Sequence, residues 1–167
     1  NLRGFSFREF LNLKTGNHFG AYTLDEILRN HERIVKDILP KVSPLSFFQD
    51  YLHHGFYPFF QEQRNYSENL LKTMNMVTEV DILLIKQIEL KYLTKIKKLF
   101  YLLALEGNKA PNVSWLAQEI ETSRATVMNY IKYLADARLI NMIYPKGCEF
   151  PKKPSKVMMH NTNLMRS

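Results

Sequence analysis

Apolar residues recur at helical spacing from Val113 to Ile140, and they predict a short helix, a tight turn and a longer helix. Ser123 lies in the turn, where its hydroxyl is well placed to cap the second helix. The residues that share a face are Leu116, Ala117 and Ile120 on the first helix, and Val127, Ile131 and Leu134 on the second. A second helix presented in this way fits the major groove of DNA.

Two strands are predicted to follow this pair of helices, at Leu139 to Tyr144 and Lys156 to His160, with a loop rich in proline, glycine and lysine between them. A long helix that Gly107 stops is predicted to precede the pair. Its apolar stripe is Leu93, Ile96, Leu99, Phe100 and Leu103. Three helices and a β-hairpin resemble a winged helix-turn-helix domain, which implies a fold more than a function.

The N-terminal half predicts further amphipathic helices. Ser6 and Thr23 each precede a glutamate by three residues, the spacing of a capping box, and Ser43-Pro44 can start another helix that Gly55 would follow. The residues expected to face inward are Phe7, Phe10, Leu11, Ile27, Leu28, Ile34, Val35, Ile38, Leu45, Phe48, Leu52, Leu70, Leu71, Met74 and Val77, and a short helix is expected from Val80 to Leu90. We therefore predict a mainly α protein, with a helical domain at 1–91, a winged helix at 92–160 and a tail at 161–167.

The net charge of +7 is unevenly distributed. Residues 1–85 hold 9 Lys/Arg and 10 Asp/Glu, a net charge of −1, whereas residues 86–167 hold 14 and 6, a net charge of +8. A basic surface attracts the phosphate backbone by releasing counterions, although a lysine-rich surface that is merely solvated is common. The asymmetry modestly favours nucleic acid as a partner of the C-terminal half.

Enzymatic motifs are missing from the sequence. No glycine precedes a Lys-Ser or Lys-Thr pair at the spacing of a phosphate-binding loop, so the chain alone is not expected to bind or hydrolyse a nucleotide. His53-His54 is the one histidine pair, and adjacent helical residues point about 100° apart, which makes a poor metal site.

The single cysteine, Cys148, fits a reducing compartment, and no apolar run is long enough for a membrane span. We expect a cytoplasmic protein.

The second helix of the helix-turn-helix carries the candidate DNA contacts. Arg124 and Asn129 have the chemistry that reads guanine and adenine edges, and Thr126 lies on the same first turns. The lysines expected to contact phosphates are Lys132, Lys146, Lys152, Lys153 and Lys156. A winged helix that packs against protein is the alternative, and it is slightly favoured on these residues alone.

Two segments carry a more specific resemblance. Phe5-Ser6-Phe7-Arg8-Glu9-Phe10-Leu11 and Tyr51-Leu52-His53-His54-Gly55-Phe56-Tyr57-Pro58 are similar to motifs of a large family of bacterial and archaeal AAA-type (STAND-like) ATPases that carry a C-terminal domain of unknown function. The resemblance implies an N-terminal core with Walker motifs that binds ATP and Mg²⁺, then a helical lid, a winged helix and a nuclease-like domain. It also implies that Gly55 and Pro58 approach the nucleotide base.

The chain starts at Asn1 and stops just after a predicted strand, so we expect it to be the lid and winged helix of a longer ATPase. Its partners would be the missing nucleotide-binding core and duplex DNA or a protein. The alternatives are a freestanding winged-helix transcriptional regulator that binds DNA and a pure interaction scaffold.

Overall fold

A computed structural model of the chain describes residues 4–62, 65–82 and 89–165. Its contacts divide the chain into two compact units, Asn1–Tyr66 and Ser67–Ser167. The described residues are mainly helical, with one small antiparallel sheet of two strands. The expected mainly α composition with a small hairpin is therefore confirmed.

The described residues of the first unit form three α-helices and two short helical segments. Both predicted capping boxes form: the Ser6 hydroxyl accepts from the amide of Glu9, and Thr23 does the same for Glu26. The elements are α1 (Phe7–Thr15), α2 (Leu24–Ile38), α3 (Pro44–Asp50), a π-helical turn (Tyr51–Gly55) and a 3₁₀ turn (Pro58–Glu62). Local capping chemistry thus sets where α1 and α2 begin.

The core of the first unit is smaller than the sequence predicts. Phe10 and Leu11 are buried as expected, but no described side chain of α2 is buried. The expected inward positions that are exposed instead are Ile27, Leu28, Val35, Leu45 and Phe48, with Leu45 at 81%. An apolar stripe predicts a helix from local pattern, whereas burial needs a tertiary partner for that stripe. The prediction that these five residues face inward is therefore wrong.

The second unit is built around a layer of three helices and the hairpin. Its described elements are α4 (Tyr66–Met76, which starts one residue before the boundary), a π-helical segment (Val77–Ile82), a 3₁₀ turn (Leu90–Tyr92), α5 (Leu93–Glu106), α6 (Val113–Glu119), α7 (Arg124–Asp136), β1 (Ile140–Ile143), β2 (Lys156–Met159) and a last 3₁₀ turn (Thr162–Met165). Every apolar residue predicted for the faces of α5, α6 and α7 is buried. Burial of Leu70 on α4 is also confirmed, but Leu71 is 58% exposed.

The division between the units lies earlier than the expected domain boundary after residue 91. Residues of the π-helical segment pack with α5 and α7, and Nζ of Lys97 lies 2.7 Å from Oε1 of Glu79. Most of the short helix expected from Val80 to Leu90 falls on 83–88, outside the described residues. The π-helical segment therefore belongs by contact to the second unit.

Candidate nucleic-acid interface

Local hydrogen bonds position α7 at the turn. The Ser123 hydroxyl accepts from the amide of Thr126 at 3.1 Å, and the two hydroxyl oxygens lie 2.9 Å apart. This is the capping expected from the sequence, and it satisfies an amide that the helix itself leaves without a partner. Thr126 therefore helps to start the helix, and its hydroxyl is already engaged within the turn.

Two lysines of α5 hold the other side of the turn. Nζ of Lys95 donates to the carbonyl of Glu121 at 2.6 Å, and Nζ of Lys98 donates to the carbonyl of Glu119. These carbonyls lie at the C-terminal end of α6, where the helix dipole favours a positive charge. The two contacts tie the turn between α6 and α7 to α5, so part of the basic excess is used inside the unit.

The hairpin brings a long loop back toward α7. β1 and β2 pair antiparallel, with Ile140 opposite Met159 and Ile143 opposite Lys156. The Ser155 hydroxyl donates to the carbonyl of Ile143 at 2.9 Å and closes the base of the loop. The loop over 144–155 carries lysines and is largely exposed.

An open cleft of about 350 Å³ lies where this loop meets the start of α7. Its lining residues combine cations, an amide and apolar side chains. They are Val113, Arg124, Ala125, Met128, Asn129, Phe150, Pro151 and Lys153. Of the described residues that line it, none is acidic, so the cleft is suited to an anionic or hydrogen-bonding partner.

The structure separates the predicted DNA-contacting residues into groups. Arg124, Asn129 and Lys153 lie together in the cleft. Lys132 instead forms an ion pair with Asp136 one turn further along α7. Lys146 and Lys152 are exposed in the hairpin loop but do not line the cleft, and Lys156 is exposed on β2.

Sequence reasoning missed the aromatic and proline wall of the cleft. Phe150 and Pro151 lie far from α7 in sequence, and only the hairpin brings them opposite Met128. The dipeptide Phe-Pro inside the lysine-rich loop is a weak signal in the sequence, because single exposed apolar residues are common on protein surfaces.

The two residues expected near a nucleotide lie in the first unit. Gly55 ends the π-helical turn and is buried, and Pro58 starts the 3₁₀ turn and is exposed. A methyl group on Gly55 would lie 2.5 Å from Cδ2 of Tyr51 and 2.8 Å from Cδ2 of Phe10. The sequence predicts Gly55 just past a helix end, a place where glycine usually adopts a positive φ. The glycines with positive φ are instead Gly16, Gly107 and Gly147, so close packing is the reason for glycine at position 55.

The two motif segments of the first unit pack against each other. The amide of Phe5 donates to the carbonyl of Phe56 at 2.8 Å, and the Tyr51 hydroxyl donates to the carbonyl of Phe5 at 2.9 Å. The rings of Phe10 and Phe60 lie 4.8 Å apart within the same cluster. Burial raises the pKa of Tyr51, and the nearby Glu9 adds to the rise, so this hydroxyl stays protonated and can donate.

The histidines show no metal site in the described part of the chain, where no cluster of three or more His, Cys, Asp or Glu has a suitable arrangement. His53 and His54 have ring centroids 5.7 Å apart, and burial lowers the pKa of His54. Among the residues that the structure describes, no helix combines the length and apolar character of a membrane span.

Comparison with known proteins places the chain in a family. Residues 46–164 match the family model described as "Domain of unknown function (DUF8612)". The chain belongs to the DUF8612 family. The match covers the hairpin and all helices from α4 to α7, and therefore includes the cleft.

A relative in Methanocaldococcus jannaschii, "Uncharacterized protein MJ1637", is 29% identical over 147 residues. The match covers 85% of this chain and 31% of the relative, so the chain spans about a third of that protein's length. No solved structure matches the chain.

Proposed function

We propose that the second unit is a winged helix that binds duplex DNA through α7 and the hairpin loop. The order α5, α6, α7 and hairpin supports this proposal, as does the short capped turn that separates α6 from α7. In this arrangement α7 is the recognition helix, and the loop over 144–155 is the wing.

The observation that carries the proposal is the convergence of Arg124, Asn129 and Lys153 in one open cleft. The first two side chains project from α7, and the third comes from the loop. Arginine and asparagine form paired hydrogen bonds with guanine and adenine edges, whereas lysine contacts phosphates as a point charge. This combination suits a recognition helix that contacts base edges beside a loop that contacts the phosphate backbone of the same duplex.

Fluorescence anisotropy of a labelled duplex of about 20 base pairs tests the proposal over a range of salt from about 50 to about 200 mM. We expect binding that weakens steeply with salt, and an Arg124→Ala affinity about 5- to 150-fold lower, from the loss of about 1–3 kcal/mol. The matched control is Arg29→Ala, which removes the same charge from an exposed ion pair on α2. The proposal fails if no duplex binds at low salt, or if both substitutions weaken binding equally.

Lys132 gives a second comparison within α7. Its ammonium group is paired with Asp136, and its side chain does not line the cleft. We expect Lys132→Ala to weaken binding less than Lys153→Ala, although the two substitutions remove the same charge. A larger loss for Lys132 than for Lys153 would contradict the placement of the cleft at the interface.

For the whole protein we propose an AAA-type ATPase in which this chain supplies the lid and the winged helix. The packing of the Phe5–Leu11 segment against the Tyr51–Pro58 segment supports this, because two motifs of the resemblance then form one structural unit. ATP and Mg²⁺ would bind in a separate core, near Gly55 and Pro58 of the lid.

The M. jannaschii relative offers the direct test, since the match covers 31% of its length. We expect a GxxxxGK[ST] motif in its remaining sequence, and ATP hydrolysis by that protein but not by this chain alone. Lack of that motif, with salt-sensitive DNA binding retained, would favour a freestanding DNA-binding regulator. ATP hydrolysis by this chain alone would overturn the assignment.

A further inference from the structure

The cleft is lined in part by apolar side chains that phosphate or guanine binding does not require. Ala125 is exposed on α7, and Met128 is half-buried one turn later. Phe150 and Pro151 line the same cleft from the hairpin loop. An exposed helix face that serves only to contact phosphates would carry polar side chains at these positions.

Apolar and hydrogen-bonding side chains alternate on this face of α7. Arg124 and Met128 are four residues apart and form one row, and Ala125 and Asn129 form the adjacent row. At about 1.5 Å per residue, Arg124 and Asn129 lie about 7.5 Å apart along the helix axis, which is about two steps of 3.4 Å between stacked bases. Each base edge that is contacted through a hydrogen bond therefore has an apolar side chain beside it.

We propose that Ala125 and Met128 read the C5-methyl group of thymine in the major groove, beside the bases that Arg124 and Asn129 contact. This inference rests on the proposed DNA binding and adds the substrate preference of the same site. The thymine methyl is the one apolar group on a base edge of the major groove, and alanine is among the side chains that contact it. Phe150 and Pro151 shield the contact from water on the side of the hairpin loop.

A pair of duplexes that differ only in this methyl group provides the probe. The first is a TG·CA repeat of about 20 base pairs, which offers guanine, adenine and thymine within every step of two base pairs. The second is identical except that deoxyuridine replaces thymidine. We expect the full chain to bind the thymine duplex about fourfold more tightly, the value for burial of one methyl group.

Variants separate direct contact from an effect of the methyl group on DNA shape. Ala125→Ser with Met128→Gln should abolish the preference, so that the two duplexes bind with equal affinity, and the control Met128→Leu should retain the preference. If circular dichroism shows that the double variant does not fold, Ala125→Ser alone replaces it, because this position is exposed. We expect this single variant to reduce the preference for the thymine duplex.

Three results would overturn the inference. Equal affinity of the unmodified chain for both duplexes would refute methyl reading. If binding in that case still depends on salt and on Arg124, the proposed DNA binding is retained. A preference that persists unchanged in the double variant assigns the effect to DNA shape. Failure to bind either duplex at low salt removes the proposed function as well.

Discussion

Replacing Gly55 with alanine tests whether this glycine is required by packing within the first unit. The added Cβ would lie 2.5 Å from a ring carbon of Tyr51 and 2.8 Å from one of Phe10. Phe10 is fully buried, so its ring has little room to move. Overpacking of this kind costs about 1–3 kcal/mol, and alanine in a helical turn recovers up to about 1 kcal/mol. We expect a net loss of about 1–2 kcal/mol in the free energy of unfolding.

Gly20→Ala is the matched control. A methyl group on Gly20 would meet no described atom within 4 Å, and its φ is not positive. We therefore expect no loss of stability, and a gain of up to about 1 kcal/mol through the unfolded state.

Urea unfolding followed by far-ultraviolet circular dichroism measures the difference between the two variants. Amide hydrogen exchange read by mass spectrometry locates it, and we expect faster exchange at Phe5, whose amide donates to Phe56. Fluorescence of Trp115, the one tryptophan, reports the second unit separately. The packing argument fails if Gly55→Ala is as stable as the unmodified chain.

Other substitutions test the second unit, each by urea unfolding monitored through Trp115. Ser123→Ala removes the cap of α7 and should cost about 1 kcal/mol. Ile131→Ala empties a fully buried position and should cost about 2–5 kcal/mol, whereas Leu105→Ala, at a 65% exposed position, should cost far less. Burial and the positive charge of Arg138 lower the pKa of His160, so the unfolded chain binds more protons at mildly acidic pH. The free energy of unfolding should be constant above about pH 7 and should fall as the pH drops below about 6.5 and through the lowered pKa of His160. The variant His160→Asn should reduce that fall. A free energy of unfolding that rises on acidification would contradict this reasoning.

Local features of the sequence determined where the capped helices begin and which faces of α5, α6 and α7 are buried. Ser6, Thr23 and Ser123 each cap a helix as predicted, because capping depends on residues three positions apart. The stripe on α5 is buried as predicted, because α7, β2 and the π-helical segment pack against α5. The same reasoning placed Arg124 and Asn129 on one exposed face.

Only the tertiary structure decided which candidate residues come together. The hairpin places Phe150, Pro151 and Lys153 beside α7. This proximity depends on how the loop folds back, and it leaves no periodic pattern of apolar residues in the sequence. The exposure of the α2 stripe and the close packing around Gly55 were likewise set by tertiary contacts. Sequence periodicity determines which face of a helix is apolar, whereas the position of other elements in space determines whether that face is covered and what lies opposite it.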